Sequence, residues 1–228
     1  MFMKKNNFKM LLILAVVVIM ANAAACNDLT KNNGTVKTIE GFDVYENNTI
    51  GIKIQYPAEW MYIDSSLNKD DINAAILEVF GQEKADLFNE LETDLSSISV
   101  VWYDFENSGD MFVPNANLVV SDAGGATQND LKSPSYQKDI QDSFEGYYKQ
   151  IFGNFKTVGD IKGRTLGSNY FINYTFNYTL DSESGELNLI CCQEITEKNG
   201  NLYIFTFTTQ AGKMNNATYE KMLSTLEF

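Results

Sequence analysis

The stretch NYFINYTFNYTL (residues 169–180) alternates with period two. Tyr170, Ile172, Tyr174, Phe176, Tyr178 and Leu180 fall on one face, and Asn169, Asn173, Thr175, Asn177 and Thr179 on the other. Successive side chains of a strand point to opposite faces, so the pattern predicts a long strand with one side against an apolar layer. Phe171 is the one apolar residue on the polar side. Downstream, residues 181–185 have turn composition and lead into a second strand over 187–196. Asn199-Gly200 makes another turn, and residues 202–209 run back. From Phe155 onward the chain therefore reads as a meander, closed by a helix carrying Tyr219, Met222, Leu223 and Leu226.

Working back from that strand, Tyr136, Ile140, Phe144, Tyr147, Tyr148, Ile151 and Phe152 recur at helical spacing, ended by Gly153. This helix has a stripe suited to lying on a sheet. Residues 98–105 and 118–121 read as strands joined by a loop with Asn107-Ser108-Gly109 and Pro114, and 124–134 reads as another loop. Between 68 and 94, Ile72, Ile76, Val79, Phe80, Leu87, Phe88 and Leu91 predict two short helices, or one kinked at Gly81. Residues 42–45, then Asn47-Asn48, then Ile50, Ile52, Ile54 and Tyr56, predict a β-hairpin ended by Pro57. Trp60, Tyr62 and Ile63 continue as a short extended piece. The whole implies an α+β fold with a mainly antiparallel sheet and helices packed against it.

Two stretches resemble a known family. FDVYENNTIGIKIQYPAEW (residues 42–60) is similar to the opening of PsbP-like domains, where a hairpin strand runs into Tyr-Pro and a nearby Trp. YIFTFTTQAGKMNNATYEKMLSTLEF (residues 203–228) resembles their last strand, loop and helix. The resemblance implies the Mog1/PsbP-type α/β/α sandwich, an antiparallel sheet between helices, over one domain from 42 to 228. Its members share docking and no catalytic residues, so it also implies a binding role.

The N-terminus carries a second message. Lys4, Lys5 and Lys9 precede an apolar run over 10–21 that falls short of the ~20 residues a spanning helix needs, and Ala23-Ala24-Ala25 leads to Cys26. This pattern resembles a bacterial lipoprotein signal over residues 1–25, with Ala23 where the pattern usually has Leu, and makes Cys26 the residue to be acylated. Two or more acyl chains hold a protein stably, whereas one holds it marginally. The alternative is ordinary cleavage after Ala23 or Ala25, which leaves a secreted soluble protein. Residues 26–41 are polar and read as a tether, whose 15 residues beyond the cysteine span roughly 20 Å at ~5–6 Å times the square root of length.

Removing residues 1–25 takes out three lysines and no acids, so the net charge moves from −13 to −16. Nucleic acid and anionic lipid headgroups are drawn to basic clusters, so this balance argues against both as partners. The chain has no histidine, which removes Ser-His-Asp and Cys-His catalysis and His-ligated metal. Its glycines form no phosphate-binding pattern. Cys191 and Cys192 are adjacent on a strand, point opposite ways and are expected as buried thiols. No cofactor is indicated.

Two features hold candidate sites. Asp104, Glu106 and Asp110 loosely follow the start of a calcium loop, but position twelve is Asn115 in place of the bidentate Glu, so a solvated turn is favoured. Asn173, Thr175 and Asn177 offer amides and hydroxyls on one strand face, for a polar ligand or a partner if that face is open. The expected function is a non-enzymatic lipoprotein at the extracytoplasmic face of the cell membrane that binds a protein partner or assists an envelope complex. A small-molecule or cation receptor is the alternative. A carboxylate-dependent cell-wall hydrolase would need two carboxylates facing each other at roughly 5–9.5 Å.

Overall fold

The structure is a computed structural model that describes residues 38–64, 98–104, 106–107, 112–182 and 185–228. The signal segment, Cys26, most of the tether, the helices expected over 68–94 and Asp110 lie outside the described residues.

Three chain segments build the sheet system. The first is a hairpin of β1 (Phe42–Asn47) and β2 (Ile52–Pro57), paired antiparallel from Phe42↔Pro57 to Asn47↔Ile52. The second is β3 (Met61–Asp64), β4 (Ile98–Tyr103) and β5 (Asn115–Asp122). The third is the meander β6 (Gly153–Thr157), β7 (Lys162–Leu166), β8 (Asn169–Ser182), β9 (Gly185–Lys198) and β10 (Asn201–Gln210). All but the hairpin form one antiparallel sheet of order β3-β4-β5-β10-β9-β8-β6, with β7 also on β8. The β9–β10 turn is Asn199-Gly200, both at positive φ (53° and 82°), a conformation that favours Asn and Gly and matches the strand twist.

Among the described residues three helices accompany it: α1 (Gln128–Leu131), α2 (Pro134–Ile151) and α3 (Asn216–Ser224). The loop expected over 124–134 thus contains a short helix, started by a reciprocal cap between Thr127 and Asp130. α2 has Pro134 in its first turn, and the chain leaves it through an extended Phe152, whose N–H bonds to the Tyr148 carbonyl. The helix therefore stops one residue before the expected glycine region.

The alternation read from the sequence sorts the core into two layers. One side buries Ile172, Tyr174, Phe176 and Tyr178 of β8 against Ile140, Phe144 and Tyr148 of α2. The ring pairs are close, with Tyr148 stacked on Phe176 at 4.7 Å and Phe152 against Tyr178 at 4.3 Å. The other side buries Trp102, Phe171, Phe205 and Phe207 under Ile54 and Trp60 of the hairpin region and Tyr219, Met222 and Leu223 of α3. Phe171, the exception to the polar alternation, is fully buried there. The result is the expected α+β sandwich, a mostly antiparallel sheet with helices on both faces.

β5 starts three residues earlier than the sequence reading placed it. Asn115 and Asn117 are buried strand residues opposite Thr208 and Thr206 of β10, and their polarity concealed the strand. After α3 the chain pairs with the hairpin. Lys53 and Glu227 exchange backbone hydrogen bonds at 3.0 and 2.8 Å, and the Gln55 N–H donates to Thr225 Oγ1 at 2.8 Å.

Candidate functional site: a polar margin on strand β8

Asn173, Thr175 and Asn177 lie on the side of β8 that also carries Phe171, toward α3. All three are half-buried, whereas their alternates Tyr174, Phe176 and Tyr178 are at most 2% exposed. The strand register decides their neighbours. Directly opposite residues on paired strands share a face, so Asn173 meets Glu194 and Thr175 meets Cys192 on β9. On the far side of Glu194 stands Phe205 of β10. β7 brings Lys162 opposite Asn173 and Arg164 opposite Phe171, which aims Arg164 onto the same face.

These placements create a cluster that the sequence reading did not assemble. The Glu194 side chain has no exposure to solvent. Its Oε1 accepts from Arg164 Nη2 and from Asn173 Nδ2 (2.6 Å), with the Cys192 thiol at 3.7 Å. The Asn173 amide also reaches Cys192 Sγ at 2.9 Å, and Thr175 Oγ1 donates to Asn173 Oδ1 at 3.2 Å. Arg164 Nη1 donates to Glu220 of α3, whose side chain is 43% exposed. Arg164 thereby ties β7, β9 and α3 together.

Charge burial sets the electrostatics. Removal from water raises the Glu194 carboxyl above the usual carboxylate range, against the opposing pull of Arg164 and Asn173. Burial, helped by the Glu194 charge, pushes the Cys192 thiol up to about 12, so at neutral pH it is a protonated weak donor. Cys191 points to the α2 layer and is likewise held protonated by burial; both cysteines are free, as expected.

Of the calcium-loop candidates, Asp104 and Glu106 are among the described residues. Asp104 is buried, and its carboxylate accepts from the Asn107 backbone N–H (3.2 Å) and side-chain amide (2.9 and 3.0 Å). That is an Asx-type turn, in which burial raises the Asp104 pKa. Glu106 is exposed, and Asp110 lies outside the described residues. Among the described residues no group of three or more His, Cys, Asp or Glu side chains is placed to hold a metal ion.

Glu194 and Arg164 were missed because each looks ordinary in isolation. The available signal was a charged residue in the interior of a strand that alternates Leu187, Leu189, Cys191, Gln193 and Ile195 on its other face. A charge between two packed layers is rarely left unpaired. Arg164 gave no comparable signal, since KGRTL has neither alternation nor a strong strand former at its centre.

No family model matches the chain, and no curated protein matches it. Among solved structures it is similar to the cyanobacterial PsbP protein CyanoP of Synechocystis sp., at 14% identity over 86% of this chain and 97% of that one, with a TM-score of 0.44. It is also similar to a Bacteroides thetaiotaomicron protein, at 12% identity over 77% of this chain and 44% of that one, TM-score 0.39. A Pseudomonas aeruginosa protein of unknown function gives 12% identity over 82% and 96%, TM-score 0.41. Among the described residues no helix is long and apolar enough to cross a membrane. The α+β arrangement, a mostly antiparallel sheet with a few helices, is read from the chain's own strand pairing and helices.

Proposed function

We propose that this chain is a non-catalytic lipoprotein, acylated at Cys26 on the extracytoplasmic side of the membrane, that docks a protein partner through the polar margin of β8. The observation that carries the reading is the half-buried row Asn173, Thr175 and Asn177 on a strand whose other face is sealed. Asn173 and Thr175 spend their donors on Glu194, Cys192 and one another, so the row offers a partner acceptor oxygens and the Asn177 amide, on a backbone fixed by neighbours on both sides. The large apolar side chains exposed among the described residues are Ile151 and Val158, which favours a polar docking face over an apolar one.

Two carboxylates do come together here, but Arg164 stands between Glu194 and Glu220, and Glu194 has no access to water. That arrangement gives no support to hydrolysis, which needs a water-holding gap between the acids. A receptor for a small cation has one observation in its favour, a buried Glu194 oxygen that accepts no hydrogen bond.

The test is crosslinking in the native cells followed by co-purification, with wild type and an Asn173→Ala/Asn177→Ala pair compared. A reproducible partner that is lost from the double variant is expected. Equal capture by both rejects the β8 face, and mass spectrometry of the mature N-terminus finding an unmodified Cys26, or none, rejects the anchor.

A further inference from the structure

The docking reading of the β8 face is the premise here, and the question is what that face grips. Glu194 concentrates its hydrogen bonds on one oxygen: Oε1 meets Arg164, Asn173 and Cys192, while buried Oε2 accepts none. Arg164 is divided between two acids, and its Nε–H is buried without an acceptor. Two carboxyl groups share one guanidinium, so the cluster holds more acceptor oxygens than donors. A buried acceptor with no donor is unfavourable, and more so when charged, so a further donor is favoured at this position.

The shape of the deficit selects the donor. A lysine ammonium is a compact point charge with three donors on a slender stem. Glu194 Oε2, Asn173 Oδ1 and Thr175 Oγ1 are three oxygens on neighbouring positions of β9 and β8, and Asn173 Oδ1 keeps a lone pair beyond the one that Thr175 uses. Arg164 covers Glu194 from the outside, with 32% of its side chain exposed, and its second partner Glu220 is nearer solvent still. Glu220 on α3 already bonds Arg164 Nη1, which gives the guanidinium a second seat when Glu194 takes another donor.

We infer that the Glu194 cluster receives a lysine side chain of the docking partner, with the ammonium on Glu194 and Arg164 displaced onto Glu220. Two acids then face two cations, and the chain's net charge of −13 draws such a partner toward it.

The probe is N-acetyl-lysine N-methylamide, titrated into the full-length protein in detergent, with the norleucine counterpart and sodium chloride at matched ionic strength as controls. The readout is the side-chain amide resonances of Asn173. A saturable shift with the lysine probe alone is expected, weakened at least tenfold by Glu194→Gln and tightened severalfold by Arg164→Gln, which removes the competing cation. Equal shifts with norleucine or with salt, an unchanged Glu194→Gln, or weaker binding by Arg164→Gln each overturn the inference. Should Glu194→Gln fail to fold, the opposite sign required of Arg164→Gln still decides. Loss of partner capture in the Asn173/Asn177 variants together with silence of the lysine probe leaves docking standing and removes the lysine.

Discussion

The two faces of β8 put the same backbone to different uses. On the α2 side, Tyr174, Phe176 and Tyr178 are sealed under Phe144, Tyr148 and Phe152. On the α3 side Phe171 and Thr179 are sealed, and between them Asn173, Thr175 and Asn177 are half-buried. Residues separated by one position therefore belong to different problems. The first face contributes burial, at roughly 25 cal/mol per Å2 of apolar area. The second holds hydrogen bonds whose net contribution to folding is about 1 kcal/mol each, and whose value lies in what they present.

The contrast can be broken most forcefully from the sealed side. Phe176→Ala removes a fully buried ring in contact with Tyr148 and Phe155, and a loss of about 3–5 kcal/mol in urea unfolding is expected. Next comes Arg164→Ala, which strands the buried Glu194 charge. At neutral pH it is expected to lose about 2–3 kcal/mol, discounted from the usual buried-pair penalty because Arg164 is partly exposed.

The pH dependence of that second loss has a definite sign. The folded Glu194 carboxyl already binds its proton more tightly than an unfolded one. Its contribution is therefore most favourable below the ordinary carboxylate range and is lost as pH rises through the folded value. Without Arg164 the folded value moves further up. The stability gap between wild type and Arg164→Ala should then narrow as pH is lowered; a constant gap from pH 7 to 4 would mean that Glu194 is not the group left unpaired.

Gly167→Ala should have a smaller effect, about 1–2 kcal/mol. It sits at a φ of +59° in the β7–β8 turn, and a Cβ there collides with the Ser224 carbonyl at the end of α3. The measurement is a lowered midpoint of thermal unfolding, and an unchanged midpoint would show that the turn and α3 separate freely. Asn177→Ala closes the series. On the presenting face it should alter stability by no more than about 0.5 kcal/mol while reducing partner capture. A cost as large as that of Phe176→Ala would erase the distinction between the two faces.

Much of this architecture was legible, for reasons that differ from element to element. β8, β9, β10 and the hairpin were readable because one or both faces of each are apolar at period two, and α2 because its stripe repeats at 3.6. β5 was cut short because Asn115 and Asn117 are buried as amides, and β7 escaped notice because its pairing with β8 owes little to its own side chains. Gly163 on β7 even leaves room for the Tyr170 ring to lie across the strand. The site was half legible. Asn173, Thr175 and Asn177 follow from local alternation, whereas Glu194 and Arg164 join them only through the registers of β9 and β7 on β8, which no local pattern encodes.

The tie between the hairpin and the last residues bears on how the chain reaches this state. Gln55 and Thr225 are 170 positions apart, and the Lys53–Glu227 bridge beside them closes the same loop. Contacts of such range form late and slowly, since loop closure must precede any return from packing. The hairpin cannot complete its edge until residues 225–227 have been made. Its first strands therefore wait for a partner that lies 170 positions downstream.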